Sequence, residues 1–260
     1  MRIFVLGYTG FIGETVYKKL YDLPHELVGV NSKFIDFKGK DLIPRKLSLV
    51  VDLKNLIQSD SVILNASWCK TDREFRNSET HTLMAENEIL LIQDVSKLNL
   101  RYVSLGSIAE IQDLEITDAM TSNYAVNKRR ILEFLKQNYD NFAWMRIASC
   151  FGINDKRSWI VNELRNGTKT KPIIVKNPNN LINLSSIENI SNILIDSLSS
   201  SIKGEFNLMD RYWYKIGDLA SALYEGINLN SIIRINGDFS ENDPKRILTG
   251  NNDVLEFLRK

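Results

Sequence analysis

Short runs of β-forming apolar residues alternate with helical segments from residue 2 to residue 147, and this alternation limits the fold more than any other feature. The apolar runs are residues 2–6, 26–30, 47–51, 61–65, 101–105 and 142–147. Between them lie helical patterns at 14–20, briefly up to Gln58, at 78–98 and at 122–138. In the segment 78–98 the apolar residues Leu83, Met84, Ile89, Leu90, Ile92 and Val95 fall at three- and four-residue steps. Ser122 is placed to cap the next helix, with Val126, Ile131, Leu132 and Leu135 on its buried side. Strands that alternate strictly with helices predict an α/β fold, a doubly wound parallel Rossmann sheet with helices on both faces.

The first strand runs directly into Gly7-Tyr-Thr-Gly10-Phe-Ile-Gly13 and then a helix. Glycine lets the backbone turn tightly and approach a pyrophosphate, and the free N–H groups of a helix start favour an anion. The order of strand, glycine-rich turn and helix points to a dinucleotide. The second strand ends at Asn31-Ser32-Lys33, where such folds meet the adenosine ribose. An acidic residue there would bind the 2′-hydroxyl and favour NAD. A lysine stands there instead, so NADP(H) is favoured, with NAD(H) the alternative. Asn65-Ala66-Ser67 closes the strand at 61–65 with small polar residues, which leaves room for a ligand. Residues 34–46 resist assignment, and Pro44 argues against one continuous helix there.

Composition excludes several classes. A formal net charge of +1 over 260 residues suggests neither a nucleic-acid nor a membrane surface. The one tight basic cluster, Lys128-Arg-Arg130, reads as a solvated helix face. Cys69 and Cys150 lack metal-ligand spacing, and His25 and His81 are too few to complete a zinc site, so no metal is expected. Two distant cysteines fit a reducing, cytoplasmic compartment. No apolar run is long enough to span a membrane, and with the sequence opening in a core strand no signal peptide is expected.

Tyr124 and Lys128 are four apart on a predicted helix, so their side chains share one face. An ammonium near a phenol favours phenolate and lets the phenol exchange a proton at neutral pH, as carbonyl reduction requires. A serine hydroxyl would hold the carbonyl oxygen.

With these residues the chain resembles the short-chain dehydrogenase/reductase superfamily. The resemblance rests on Gly7 to Gly13, Asn65-Ala66-Ser67, Ser107 and Tyr124-Ala-Val-Asn-Lys128. It is nearest the extended branch, the NAD-dependent epimerase/dehydratase family acting on nucleotide sugars. The wide glycine spacing and Arg146-Ile-Ala-Ser-Cys-Phe-Gly152 match that branch. The match is strong to residue 152 and thin after it. It implies that Tyr124 is the acid/base, that Lys128 binds the nicotinamide ribose and tunes Tyr124, and that Ser107 polarises the carbonyl, with Ser104 the alternative. It implies that Gly7, Gly10 and Gly13 hold the pyrophosphate with Phe11 and Ile12 beside it, and that Thr9 of the same turn belongs to the cofactor site. Asn31, Ser32 and Lys33 then lie at the ribose, Asp52 and Leu53 at the adenine, and Asn65, Ala66 and Ser67 along the cofactor. A serine in the third place of that last stretch is a departure from the family's pattern.

Further departures narrow the chemistry. No acid pair follows Gly106-Ser107-Ile-Ala, so sugar dehydration is not expected. Ile108 follows Ser107, Cys150 reads as a small core residue and His81 as solvated on its helix, so 3,5-epimerisation is not expected either. The expected activity is reduction of a keto group on a nucleotide-linked deoxysugar. A 4-epimerase with retained NAD and a non-enzymatic NADP(H) sensor are the alternatives. The expected domains are a Rossmann domain over 1–152, with returning elements at about 177–210, and a small substrate lobe from 153–176 and 211–260. Within 1–260, helices are expected at 157–166, 187–198, 215–226 and 252–259, with strands at 172–176 and 204–208. The resemblance also implies a homodimer pairing the helices at 78–98 and 122–138.

Overall fold

The computed structural model describes residues 1–36, 38, 42–44, 53, 56–69, 75–111, 122–152, 155, 161, 164, 175, 177–210, 212–224, 235–236 and 246–248. The chain forms two compact units. One comprises Met1–Arg146 with Ser191–Phe206, the other Ile147–Ile190 with Asn207–Lys260.

The first unit is built on a mostly parallel sheet with flanking helices. Its strands are β1 (Arg2–Leu6), β2 (Glu26–Val30), β3 (Phe34–Asp36), β4 (Leu42–Pro44), β5 (Val62–Asn65), β6 (Arg101–Ser107), β7 (Phe142–Ile147) and the start of β10 (Gly204–Met209). Their order is β10-β7-β6-β5-β1-β2-β3-β4. β1 pairs in parallel with β2 on one side and with β5 on the other, and β5 pairs in parallel with β6. β5, β6 and β7 are buried almost continuously, as expected of strands covered on both faces. Phe4, Ile63, Tyr102 and Trp144 have essentially no exposed surface, and burying each large side chain stabilises the fold by about 1.5–3 kcal/mol.

Residues 34–44, which the sequence left unassigned, contain two short antiparallel strands. β3 pairs with β2, and β4 pairs with β3, so Asn31-Ser32-Lys33 is the turn of a hairpin. Pro44 sits on the outermost strand, where no ladder N–H is needed. The expected strand at 47–51 lies outside the described residues.

The helices of this unit are α1 (Phe11–Tyr21), α2 (Thr80–Lys97) and α3 (Asn123–Asn138), with a short 3-10 turn at Ile108–Glu110. The Ser122 hydroxyl accepts from the Ala125 N–H at 3.3 Å, the cap expected from sequence. Four expectations for these helices need correction. Leu83 is 60% and Leu90 54% exposed, whereas α2 buries His81, Ala85, Glu88, Leu91, Ile92 and Val95. His81, expected in solvent, is fully buried. Val126 is exposed because Ala125, Lys128, Ile131, Leu132 and Leu135 form the inward stripe of α3, and Val126 lies one step round the helix. Lys128 therefore leaves the solvated face to which its basic neighbours had assigned it.

The second unit contains β8 (Ser149–Phe151), β9 (Leu181–Ser186), β11 (Tyr212–Lys215) and β12 (Ile235–Asn236) in a sheet of order β12-β11-β9-β8. Its Asn207–Met209 segment pairs in parallel with β13 (Arg246–Leu248). The Ser186 hydroxyl accepts from the Asn189 N–H at the start of α4 (Ile187–Ser199), and α5 (Ile216–Tyr224) follows β11. The helices expected at 157–166 and 252–259 and the strand expected at 172–176 fall outside the described residues, apart from single positions.

Candidate functional site

β1 has one parallel neighbour on each side, so the connections leaving its carboxyl end and that of β5 diverge. Ligands of open α/β sheets bind in the crevice this creates. The glycine turn and Asn65-Ala66-Ser67 meet there. The Ala66 N–H donates to the Leu6 carbonyl at 3.0 Å. Gly7 takes a φ of +77°, and a Cβ on it would lie 2.7 Å from the Ser67 Cα. A Cβ on Gly13 would lie 2.2 Å from the Gly7 carbonyl oxygen. Both positions therefore require glycine. The turn is closed by Gly10 N–H donating to the Gly7 carbonyl at 2.9 Å. Gly10, the N-cap of α1, has no side chain with which to cover the helix start. Thr9 and Gly10 are exposed, while Phe11 and Ile12 are half-buried. This narrow cradle at a helix N-terminus fits a dinucleotide pyrophosphate.

Lys33 is exposed at the β2–β3 turn, with its backbone N–H donating to Asn31 Oδ1 at 2.7 Å; Ser32 beside it is exposed. Leu53 is fully buried in the apolar core, and Asp52 lies outside the described residues. Asn65 is buried: its Oδ1 accepts from the Ser67 hydroxyl at 2.6 Å and the Ser67 N–H at 3.0 Å, and its Nδ2 donates to the Tyr102 hydroxyl at 3.1 Å.

The two candidate serines are held differently. The Ser104 hydroxyl is fully buried and donates to Glu88 Oε1 at 2.6 Å. Ser107 is half-buried at the end of β6 and caps the 3-10 turn. Its Oγ accepts from the Ala109 N–H at 3.2 Å, and its own N–H donates to Glu110 Oε1 at 2.5 Å. Because the Ala109 bond uses Oγ as an acceptor, the hydroxyl proton of Ser107 can still be donated.

Glu110 was missed in the sequence, although Ser107-Ile-Ala-Glu110 carries a capping-box spacing. It is buried, and its Oε2 accepts from Trp144 Nε1 at 2.8 Å and Arg146 Nε at 3.1 Å. Burial pushes its carboxyl up from the ordinary range; Arg146, Trp144, the Ser107 N–H and Lys128 pull it back. Arg146, from the motif at the end of β7, is also paired with Glu205.

Tyr124 is half-buried one turn before Lys128 on α3. The Lys128 ammonium is enclosed. It donates to the Leu105 carbonyl at 2.8 Å, lies 3.7 Å from the Trp68 ring centroid and faces Glu88 Oε2 at 4.0 Å. Burial lowers its pKa, against the opposing pull of Glu88, Glu110 and Cys69. Trp68 directly follows Asn65-Ala66-Ser67 and was not singled out in the sequence. Its ring meets Tyr124 edge-on at 6.0 Å and lies nearly parallel to His81, also at 6.0 Å. His81 Nε2 lies 2.7 Å from the Phe75 carbonyl, which can only accept, so Nε2 carries the proton. Nδ1 then accepts from Trp68 Nε1 at 3.1 Å and from the Cys69 thiol at 3.1 Å. Burial pushes the Cys69 thiol up. Cys150 is buried, as its reading as a core residue implied.

No group of side chains able to hold a metal ion occurs among the described residues. Nor is any described helix long and apolar enough to cross a membrane.

No protein-family model matches the sequence, and no curated protein matches it. Solved structures share the fold. A dTDP-4-dehydrorhamnose reductase from Clostridium acetobutylicum aligns with TM-score 0.68 at 15% identity, over 86% of this chain and 80% of that chain. The Bordetella bronchiseptica enzyme WbmG, in complex with NAD and UDP, aligns with TM-score 0.68 at 12% identity, over 86% of this chain and 78% of that chain. A UDP-N-acetylglucosamine 4-epimerase from Methanobrevibacter ruminantium aligns with TM-score 0.67 at 16% identity, over 100% and 92%. The Rossmann-type α/β fold expected from the sequence is the fold observed.

Proposed function

We propose that the chain is an NAD(P)-dependent oxidoreductase that reduces a keto group of a nucleotide-linked deoxysugar. The observation that carries this reading is the position of Trp68. Its backbone continues the wall that lines the glycine cradle, and its ring touches both members of the Tyr124/Lys128 pair. A phenol and an ammonium beside a dinucleotide cradle form the arrangement that carbonyl reduction requires. The fold shared with nucleotide-sugar enzymes supports the substrate class.

The dinucleotide, when bound, supplies the hydride. Tyr124 gives the proton to the carbonyl oxygen as charge develops there. The Ser107 hydroxyl donates to the same oxygen, held at the strand end by its bonds to Ala109 and Glu110. The buried charge of Lys128 stabilises the phenolate that Tyr124 becomes. Gly7, Thr9, Gly10, Phe11, Ile12 and Gly13 hold the pyrophosphate, and Asn65, Ala66 and Ser67 form the adjoining wall. Lys33 would hold a 2′-phosphate, which favours NADP(H); Lys33→Ala then weakens NADPH binding and leaves NADH binding unchanged.

The test is to mix the protein with NADPH or NADH and a panel of 4-keto-6-deoxy nucleotide sugars, and to follow loss of reduced nicotinamide absorbance. Tyr124→Phe is expected to abolish turnover while still binding dinucleotide. An unresponsive panel overturns the proposal.

A non-enzymatic dinucleotide sensor is favoured by one observation, the enclosure of Lys128 under Trp68. A protein that binds reduced dinucleotide tightly, and turns over none of the panel even as Trp68→Leu, is such a sensor.

A further inference from the structure

Glu88 has no part in the mechanism above, yet it sits at the centre of the buried polar groups behind it. α2 presents it to the core, where it is 5% exposed. Its Oε1 accepts from the Tyr102 hydroxyl at 2.9 Å and the Ser104 hydroxyl at 2.6 Å. Its Oε2 is buried and accepts no hydrogen bond among the described residues. That oxygen faces the Lys128 ammonium at 4.0 Å. Buried carboxylates normally satisfy both oxygens, and a charge enclosed in a core is strongly disfavoured unless it has a counter-charge. Each member of this pair supplies the other's.

We infer that Glu88 is a positioning residue: its unbonded oxygen is the counter-charge that keeps Lys128 charged and aimed beneath Tyr124. The inference rests on the reading that Lys128 serves Tyr124. The same carboxylate reaches the cofactor wall, because Tyr102 links Glu88 Oε1 to Asn65 Nδ2, and Asn65 Oδ1 holds Ser67. One residue of α2 thus ties the proton-transfer pair to the wall of the cradle.

The groups around Lys128 support this assignment. Glu88 faces it from α2, Glu110 from the 3-10 turn and Cys69 from the segment after β5, all favouring its charged form. The Leu105 carbonyl approaches from β6, the Trp68 ring from the loop after β5 and the Trp144 ring from β7 at 5.3 Å. Tyr124 precedes Lys128 by one turn on α3. His81, also on α2, meets Tyr124 at 5.4 Å between ring centroids. Of the two carboxylates, Glu110 has both oxygens bonded to other donors, whereas Glu88 Oε2 is left to Lys128.

Glu88→Gln tests this with little change in shape. The amide oxygen still accepts from Tyr102 and Ser104, while the amide nitrogen takes the place of the oxygen facing Lys128, so the negative charge there is lost. With lysine side chains carrying ¹³C, and the Lys128 resonance identified by its loss in Lys128→Met, the Lys128 titration midpoint should fall by about three pH units, as a charge at this distance implies. This arm needs no turnover, so it stands even if the oxidoreductase reading fails. Where turnover is measured, its alkaline limit should move down by the same interval. An unchanged Lys128 midpoint in folded Glu88→Gln overturns the inference. Should Glu88→Gln alone fail to fold, Lys128→Met and the double variant decide. The double variant is expected to be the more stable of the two, because it no longer buries an uncompensated carboxylate; a double variant less stable than Lys128→Met overturns the inference.

Discussion

Replacing Trp68 with leucine should move stability and dinucleotide affinity in opposite directions. The half-buried indole lies 3.7 Å from the enclosed Lys128 ammonium, and with that charge desolvated a cation–π contact is worth about 2 kcal/mol. Its N–H bond to His81 adds about 1 kcal/mol, and His81 keeps its Cys69 and Phe75 partners without it. Leucine supplies neither term, so a loss of about 3 kcal/mol is expected. At about 2–4 °C per kcal/mol for a protein of this size, Tm falls by roughly 6–12 °C. Binding should respond the other way. The hydrogen bond to Leu105, the Trp68 face and Glu88 occupy the ammonium, so a ribose hydroxyl can reach Lys128 only if the indole withdraws. That withdrawal costs wild-type binding about as much as the contact is worth, and every ~1.4 kcal/mol is tenfold in Kd. Trp68→Leu should therefore bind NADPH or NADH at least about tenfold more tightly. Thermal unfolding and calorimetric titration measure the two quantities, and the same substitution in a Lys128→Met background isolates the cation–π contribution. A variant as stable as wild type would show that the indole does not rest on Lys128. A variant that binds dinucleotide more weakly would make Trp68 a ligand-contacting wall instead of a cover.

Gly13→Ala should cost about 1–3 kcal/mol in urea unfolding and abolish measurable dinucleotide binding, because its Cβ would sit 2.2 Å from the Gly7 carbonyl oxygen and only backbone could yield. The phenols of Tyr8, Tyr17, Tyr102 and Tyr139 are all pushed up, chiefly by burial. In each the neutral form is favoured by folding, so stability is full below the ordinary value of 10.0 and declines as pH rises through the folded-state values. Phenolate absorbance from Tyr17, Tyr102 and Tyr139 should accordingly appear together with loss of far-ultraviolet dichroism, not before it. Leu83 and Leu90 of α2 and Val126 of α3 are exposed apolar residues on the two helices that the family resemblance pairs in a homodimer, so Leu90→Glu should halve the mass seen by light scattering.

The parts of the fold that were legible in the sequence are those where one physical rule acts alone. Strands buried on both faces, such as β1, β5 and β7, read as near-continuous apolar runs because both faces need the same residues. The glycine turn was legible because the positive φ of Gly7 and the contact of Gly13 with the Gly7 carbonyl exclude a side chain. Hydrophobic periodicity failed on α2, where Leu83 and Leu90 were counted inward and His81 and Glu88 were not. β3 and β4 were illegible for another reason: at three residues each they are too short for a period to show.

The failure on α2 has a physical cause that bears on function. A helix buries histidine and glutamate only where partners on other segments satisfy them, and those partners lie outside the helix whose periodicity is being read. Here they are Trp68, Cys69 and Phe75 for His81, and Tyr102, Ser104 and Lys128 for Glu88. Apolar residues at the two positions would fill the same space without needing any of these bonds. What the polar pair adds is a fixed charge behind Lys128 and a fixed imidazole beside Tyr124. The same two positions that defeat the hydrophobic pattern are therefore the ones that face the proposed proton-transfer pair.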